Sequence, residues 1–300
     1  MQALLKTIID EIRENLGHPV KLARLLGEHP DIRVSLDAPA PCISSNSVVQ
    51  WDALGCSSYP QWPRRKQGSL MGWKMLGNDY GSFILHRPEY SKIVQCEITE
   101  NWVCDITDVH GFAASKSNLH DFVSTDQMVE ANSRDMIDTI THQKLAENLE
   151  HNGIHIIHSL GLDYFLRYSW DGRIFLMNSD GSHHFAAAKY IATRLSEAIA
   201  LRGKLYSYSL NTLAIASLRR DFEIFVISDD TPISLGFHNA MRAFRAAWLW
   251  HSMPRPFENT KAILLPKVER RSMQVAALLR NAGVADLGVH LTDLAETRFV

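Results

Sequence analysis

Between Arg173 and Ala188 the chain reads RIFLMNSDGSHHFAAA, and this stretch limits the fold more than any other. The apolar run Ile174–Met177 predicts a strand. Ser179-Asp180-Gly181-Ser182 predicts a tight turn, and the alanine-rich continuation predicts a helix. A strand, a Gly turn and a helix start in that order form an anion site. The first N–H groups of a helix have no partner inside it, and its dipole favours negative charge there. His183 and His184 at that point add hydrogen-bond donors, a proton relay or metal ligands.

A chain of 300 residues with 46% apolar and 21% charged side chains can bury a large core without disulfide staples. Its formal charge of -2 offers no general nucleic-acid footprint and leaves room only for a local basic patch. Lys6, Asp10, Glu11, Arg13 and Glu14 interrupt the first apolar run, so a secretory signal is not expected. No run approaches the roughly 18 apolar residues of a membrane-spanning helix. Cys42, Cys56, Cys96 and Cys104 lack C-x-x-C spacing and read as buried free thiols in a reducing compartment. The cytoplasm is therefore the expected location.

Strand and helix patterns alternate, which predicts a mixed α/β protein. Three regions are expected: 1–140 with N-terminal helices and a β-rich part, 141–215 around the opening motif, and 216–300 as a C-terminal βαβ-type region that either shares the same sheet or stands apart. In the first helix, Leu4, Leu5, Ile8, Ile9, Ile12 and Leu16 fall on one face. A second short helix after Pro19 carries Leu22, Leu25 and Leu26, and the two helices either pack on the body or form a homo-oligomer or partner surface. Strands are expected at Val48–Trp51, Gly72–Leu76, Ser82–His86, Lys92–Ile98 and Trp102–Ile106, with a helix around Ser124–Ile140. Thr141 is the expected N-cap of helix His142–Glu150, and Ile154–Leu160 reads as a strand. Asp171-Gly172 is a hairpin turn into Ile174–Met177. Helix 183–201, capped by Asp180 or Ser182, and strand Lys204–Leu210 complete the middle region. Beyond it, strand Phe222–Ile227, helix Gly236–His251, strand Ala262–Leu265, helix Val268–Asn281 and strand Leu287–Leu291 are expected.

From about Gln143 to Leu210 the chain resembles the ParB/sulfiredoxin-like fold. KLAENLEHNGI is similar to that family's helix ending in Asn-Gly or His-Gly before a strand. The Asp171-Gly172 hairpin leads into an apolar strand, and SDGSHHFAAAKYIA resembles the family's DG-x-H-R-x-x-A-A box. The resemblance implies phosphate binding of a nucleotide, with Mg²⁺ where turnover follows. Gly181 and the amides after it would cradle phosphate, with Ser182, His183, His184 and Lys189 as further ligand-binding residues. His184 stands where the family has Arg, which replaces a permanent bidentate cation by a group mostly neutral at pH 7. Ser182 stands where sulfiredoxins carry Cys, so their sulfur chemistry is not expected.

Each of these residues also has a plainer structural reading. Ser182 reads as a helix N-cap and as a hydroxyl donor to phosphate. Neighbours on a helix diverge by about 100°, so only one of His183 and His184 is expected to aim into a site. Asp180 reads as a turn residue, or as a base or Mg²⁺ ligand beside phosphate. The catalytic candidates are thus Asp180, His183 and Asp229, the last at the strand–helix junction Ser228–Thr231. His151, His155 and His158 spread over a helix end and a strand, and no metal site is expected from them. Trp62 with Arg64, Arg65 and Lys66 forms a basic loop able to meet phosphate or a base.

The expected function is binding of a nucleotide or other phosphate ligand at Asp180–His184, with NTP hydrolysis or phosphoryl transfer as its chemistry. Two other classes stay open. One is a DNA-associated partition or nuclease-like protein using the basic loop; the other is a non-catalytic regulatory protein on the same fold. No membrane partner is expected.

Overall fold

The computed structural model describes residues 2–55, 67–158 and 163–297, with side chains of the first helix from residue 9 onward. Cys56 and the loop with Trp62, Arg64, Arg65 and Lys66 lie outside the described residues. In chain order the elements are α1 (Gln2–Asn15), α2 (Val20–Glu28), β1 (Ser69–Leu76), β2 (Asp79–His86), β3 (Val94–Asp105), β4 (Val109–Phe112), α3 (Thr125–Asn132), α4 (His142–Leu149), α5 (His155–His158), β5 (Tyr164–Tyr168), β6 (Ile174–Met177), α6 (Ser182–Leu195), β7 (Ala200–Leu210), α7 (Thr212–Asp221), β8 (Phe222–Ser228), α8 (Thr231–Phe244), β9 (Trp248–Ser252), β10 (Thr260–Pro266), α9 (Arg270–Asn281) and α10 (Leu287–Glu296). The protein is mixed α/β. No described helix is long and apolar enough to cross a membrane.

Two compact units share the chain, and neither is continuous. Of the described residues, the first takes 2–37, 50–55, 67–94 and 210–296; the second takes 38–49, 95–158, 163–209 and Thr297.

In the first unit the sheet order is β2-β1-β9-β10-β8, and every neighbouring pair is antiparallel. The expected βαβ rhythm is present in altered form. β8 and β9 run parallel through α8 because both oppose β10, which lies between them. The expected helix Gly236–His251 breaks at Arg245, whose left-handed backbone (φ 55°) ends α8. Trp248 and Trp250 then lie on a strand, not on a helix. The expected final strand Leu287–Leu291 is α10, in which Leu287 and Leu291 are both buried one turn apart. Val48–Trp51 is not a strand; Trp51 opens a short 3₁₀ turn. In α1, Ile9 and Ile12 are exposed, as is Leu16 just beyond its end, while Asp10 and Glu14 are buried. Asp10 pairs with Arg24 at 2.6 Å, and Glu14 accepts from the backbone N–H of Lys21.

In the second unit the sheet order is β3-β7-β5-β6-β4. β5 and β6 form the expected antiparallel hairpin, with Gly172 at φ 82° in the turn. β7 joins β5 in parallel and β4 joins β6 in parallel. The two strands expected at 92–106 are one continuous strand, β3. Helix α3 is shorter than expected, and Ser124 caps it by accepting from Gln127 N–H. Thr141 caps α4 by accepting from Lys144 N–H, as its position predicts. The described part of the expected strand Ile154–Leu160 is the single helical turn α5.

Helix α6 organises this core. Phe185, Ala186, Ala187, Ala188, Ile191 and Ala192 are all at most 1% exposed. Small alanines let α3, α4 and the sheet approach from several sides, which explains a helix apolar nearly all round. Phe185 meets Phe112 of β4 edge to face at 5.5 Å. The helix stops at Ser196, in the left-handed region, earlier than residue 201.

Candidate functional site

The start of α6 opens on a cleft of about 450 Å³ within the second unit. The turn before it is built by two glycines back to back. Gly181 has φ 73°, and a Cβ there would sit 2.3 Å from the Gly153 carbonyl oxygen. Only glycine meets both demands. Asn178 holds the turn from beneath, donating to the carbonyls of Ala114 and Asp180.

Gly181, not Asp180 or Ser182, is the N-cap of α6, and no side chain caps the helix. The first bond inside the helix runs from Phe185 N–H to Gly181 C=O. The amides of Ser182, His183 and His184 precede it, and these three residues line the cleft. The Ser182 side chain is buried. Asp180 turns its carboxylate onto the neighbouring Gly181 N–H at 2.7 Å, and that bond holds it below the usual carboxylate range.

Both histidines line the cleft, where helix phase led to the expectation of one, and they differ in their partners. His183 is held between two hydroxyls: Ser117 Oγ lies 3.1 Å from its Nε2 and Ser133 Oγ 2.6 Å from its Nδ1. Both ring nitrogens are thus committed to the protein, and Asn132 donates in turn to Ser117 Oγ. His184 stacks on His151 with ring centroids 3.8 Å apart and planes 11° from parallel. Its Nδ1 faces Asn148 Oδ1 at 3.1 Å. Burial lowers the pKa of both histidines; Lys116 adds to this for His183, and His151 and His183 add to it for His184.

Lys116, Ser117, Asn132, Ser133, Met136 and His151 complete the lining. Sequence patterns singled out only His151 among them, and for a different reason. Ser117 and Lys116 lie in an irregular polar stretch whose only sign was its run SKSN. Lys189 falls outside the cleft. It sits two turns along α6 on the face of buried Ser182, and its ammonium donates to the Val109 carbonyl, where burial lowers its pKa. Asp229 belongs to the other unit, paired with Lys261 and accepting from the Ser234 hydroxyl at 2.8 Å.

The other histidines of the sequence pattern part company. His155 Nδ1 meets Ser179 Oγ at 3.2 Å, and His158 Nε2 meets the Leu149 carbonyl at 3.1 Å. Among the described residues no three His, Cys, Asp or Glu side chains gather as a metal would require. The first unit has a cleft of about 460 Å³ between α7 and α10. Its cations are already engaged: Arg219 by Thr292, Arg220 by Asp221 and Lys267 by Glu223.

Fold and site together define a mixed α/β protein with a polar cleft at a strand–Gly turn–helix junction. A family model described as a family of unknown function, DUF6685, matches residues 99–299, more than half of the chain, and the chain belongs to that family. No curated protein and no solved structure matches it.

Proposed function

We propose that the cleft at the start of α6 binds the phosphate of a nucleotide or a similar phosphate ligand. The observation that carries this reading is the uncapped helix start: Ser182, His183 and His184, whose amides precede the first bond inside the helix, line a cleft that Lys116 also lines. The resemblance of residues 143–210 to the ParB/sulfiredoxin-like fold supports the same ligand class.

The reading stops at binding. Asp180 is the carboxylate lining the cleft, the group that a Mg²⁺ carried by a nucleotide would meet. Its bond to Gly181 N–H makes it a weak base. His183 has no free ring nitrogen for proton transfer, and Asp229 is bound to Lys261. Hydrolysis and phosphoryl transfer therefore have little support from these residues, and a binding or regulatory protein is the better description.

The test is thermal unfolding with a panel of ribonucleoside triphosphates and monophosphates. A ligand at 100 times its Kd stabilises by about 2.7 kcal/mol, so at least one should raise Tm by several degrees. Lys116→Ala should reduce that rise. No change in Tm with any of them would sink the reading.

A further inference from the structure

His151 and His184 share one stack but differ in how their ring nitrogens are occupied. The backbone N–H of Gly153 donates to His151 Nδ1 at 3.1 Å. That nitrogen is an acceptor, so the neutral ring of His151 carries its proton on Nε2. Asn148 sets the opposite tautomer in His184. Its Nδ2 donates to the carbonyls of Met136 and Lys144, both at 3.0 Å, which turns Oδ1 toward the ring. His184 Nδ1–H therefore donates to Oδ1, and Nε2 keeps its lone pair. No described residue partners either Nε2, and both histidines line the cleft.

The two rings also differ in their response to a proton. In His151, Nδ1 is already occupied by the Gly153 N–H. Protonating His184 at Nε2 leaves the Asn148 bond intact. Rings stacked at 3.8 Å cannot both carry charge cheaply. The pair thus has one standing donor, His151, and one proton acceptor, His184.

We propose that this pair selects a dianionic phosphate terminus, a phosphomonoester rather than a phosphodiester, with His151 donating from Nε2 and His184 taking one proton from solvent as the dianion binds. The inference rests on the phosphate reading of the cleft. His184 then supplies, on demand, the charge that an arginine would carry permanently. The other charged groups facing it are few. His183 and His151 oppose its protonation, while Asp135 beside α3 and Asp180 in the turn favour it. Lys116 lines the same cleft and favours the anion directly. Burial lowers the His184 pKa, so its proton is drawn from solvent when the dianion binds.

Sulfate and methanesulfonate test this without their own titration, being fixed dianion and monoanion across the range. Imidazole ¹⁵N spectra of the full chain would be followed from pH 5 to 8.5, with and without each ion. In the free protein His151 should be the Nε2–H tautomer and His184 the Nδ1–H tautomer. Sulfate should raise the His184 midpoint clearly, and methanesulfonate much less. Sulfate affinity should fall by up to about tenfold per pH unit between the free-state and the sulfate-bound midpoints. His184→Gln should bind weakly with a flat pH profile, and His151→Ala should weaken binding while keeping the slope.

Reversed tautomers, or sulfate binding that leaves the His184 midpoint unmoved, would overturn the inference and leave the phosphate reading standing. If neither sulfate, inorganic phosphate nor any nucleotide binds, both fall together.

Discussion

At the scale of single residues, burial and local hydrogen bonds decide which of the chain's histidines are chemically available. Burial lowers the pKa of His110, His183, His184, His251 and His290. Each binds a proton more readily in the unfolded chain, whose histidines titrate near 6.5. Unfolding therefore takes up protons below that pH, and stability falls as the solution is acidified. The urea midpoint should drop between pH 7.5 and 5.5; an unchanged midpoint would contradict this account. Gly181 sets a second expectation. Any Cβ there meets the Gly153 carbonyl while the backbone is left-handed, so Gly181→Ala should cost about 3 kcal/mol or more in chemical denaturation.

At the scale of elements, α6 is the piece on which the second unit depends. Phe185 is 1% exposed and packs on Phe112, so Phe185→Ala should destabilise by about 3–5 kcal/mol. Asn148 on α4 ties Met136, Lys144 and His184 together through one side chain. Asn148→Ala should cost about 1–3 kcal/mol from the polar groups it leaves unpaired. It should also free the His184 ring, visible as a mixture of tautomers in ¹⁵N spectra. The cap Thr141 and the hairpin Asp171-Gly172 were legible because each depends on residues within a few positions. Helix α10 and strand β9 were not, since short apolar runs fit either period and tertiary packing chooses between them.

At the scale of the whole molecule, the notable fact is that both units are discontinuous. Residues 38–49 belong with 95–209, and Ile43 from that short segment is 1% exposed in the second unit's core. Ile43 also accepts from Phe112 N–H and donates to the Phe122 carbonyl. A fragment of residues 95–209 should therefore unfold with lower cooperativity and at lower temperature than the same fragment carrying 38–49. Circular dichroism melts of the two would decide the point; equal melts would remove residues 38–49 from the account.

The local sequence determined the strand–Gly turn–helix at 174–195, because an apolar run, a glycine and an alanine-rich stretch each act over a few residues. It also determined that His183 and His184 part, because helix phase alone separates them. Only tertiary structure decided which of the two keeps a ring nitrogen without a protein partner in the cleft. Ser117 and Ser133 occupy His183, and Asn148 and His151 orient His184, all from distant segments. Tertiary structure likewise turned Asp10 and Glu14 of α1 inward against a clear apolar pattern, since Arg24 and the Lys21 amide supply their partners. Hydrogen-bond partners remote in sequence leave no periodic trace, and they decide what a side chain is free to do.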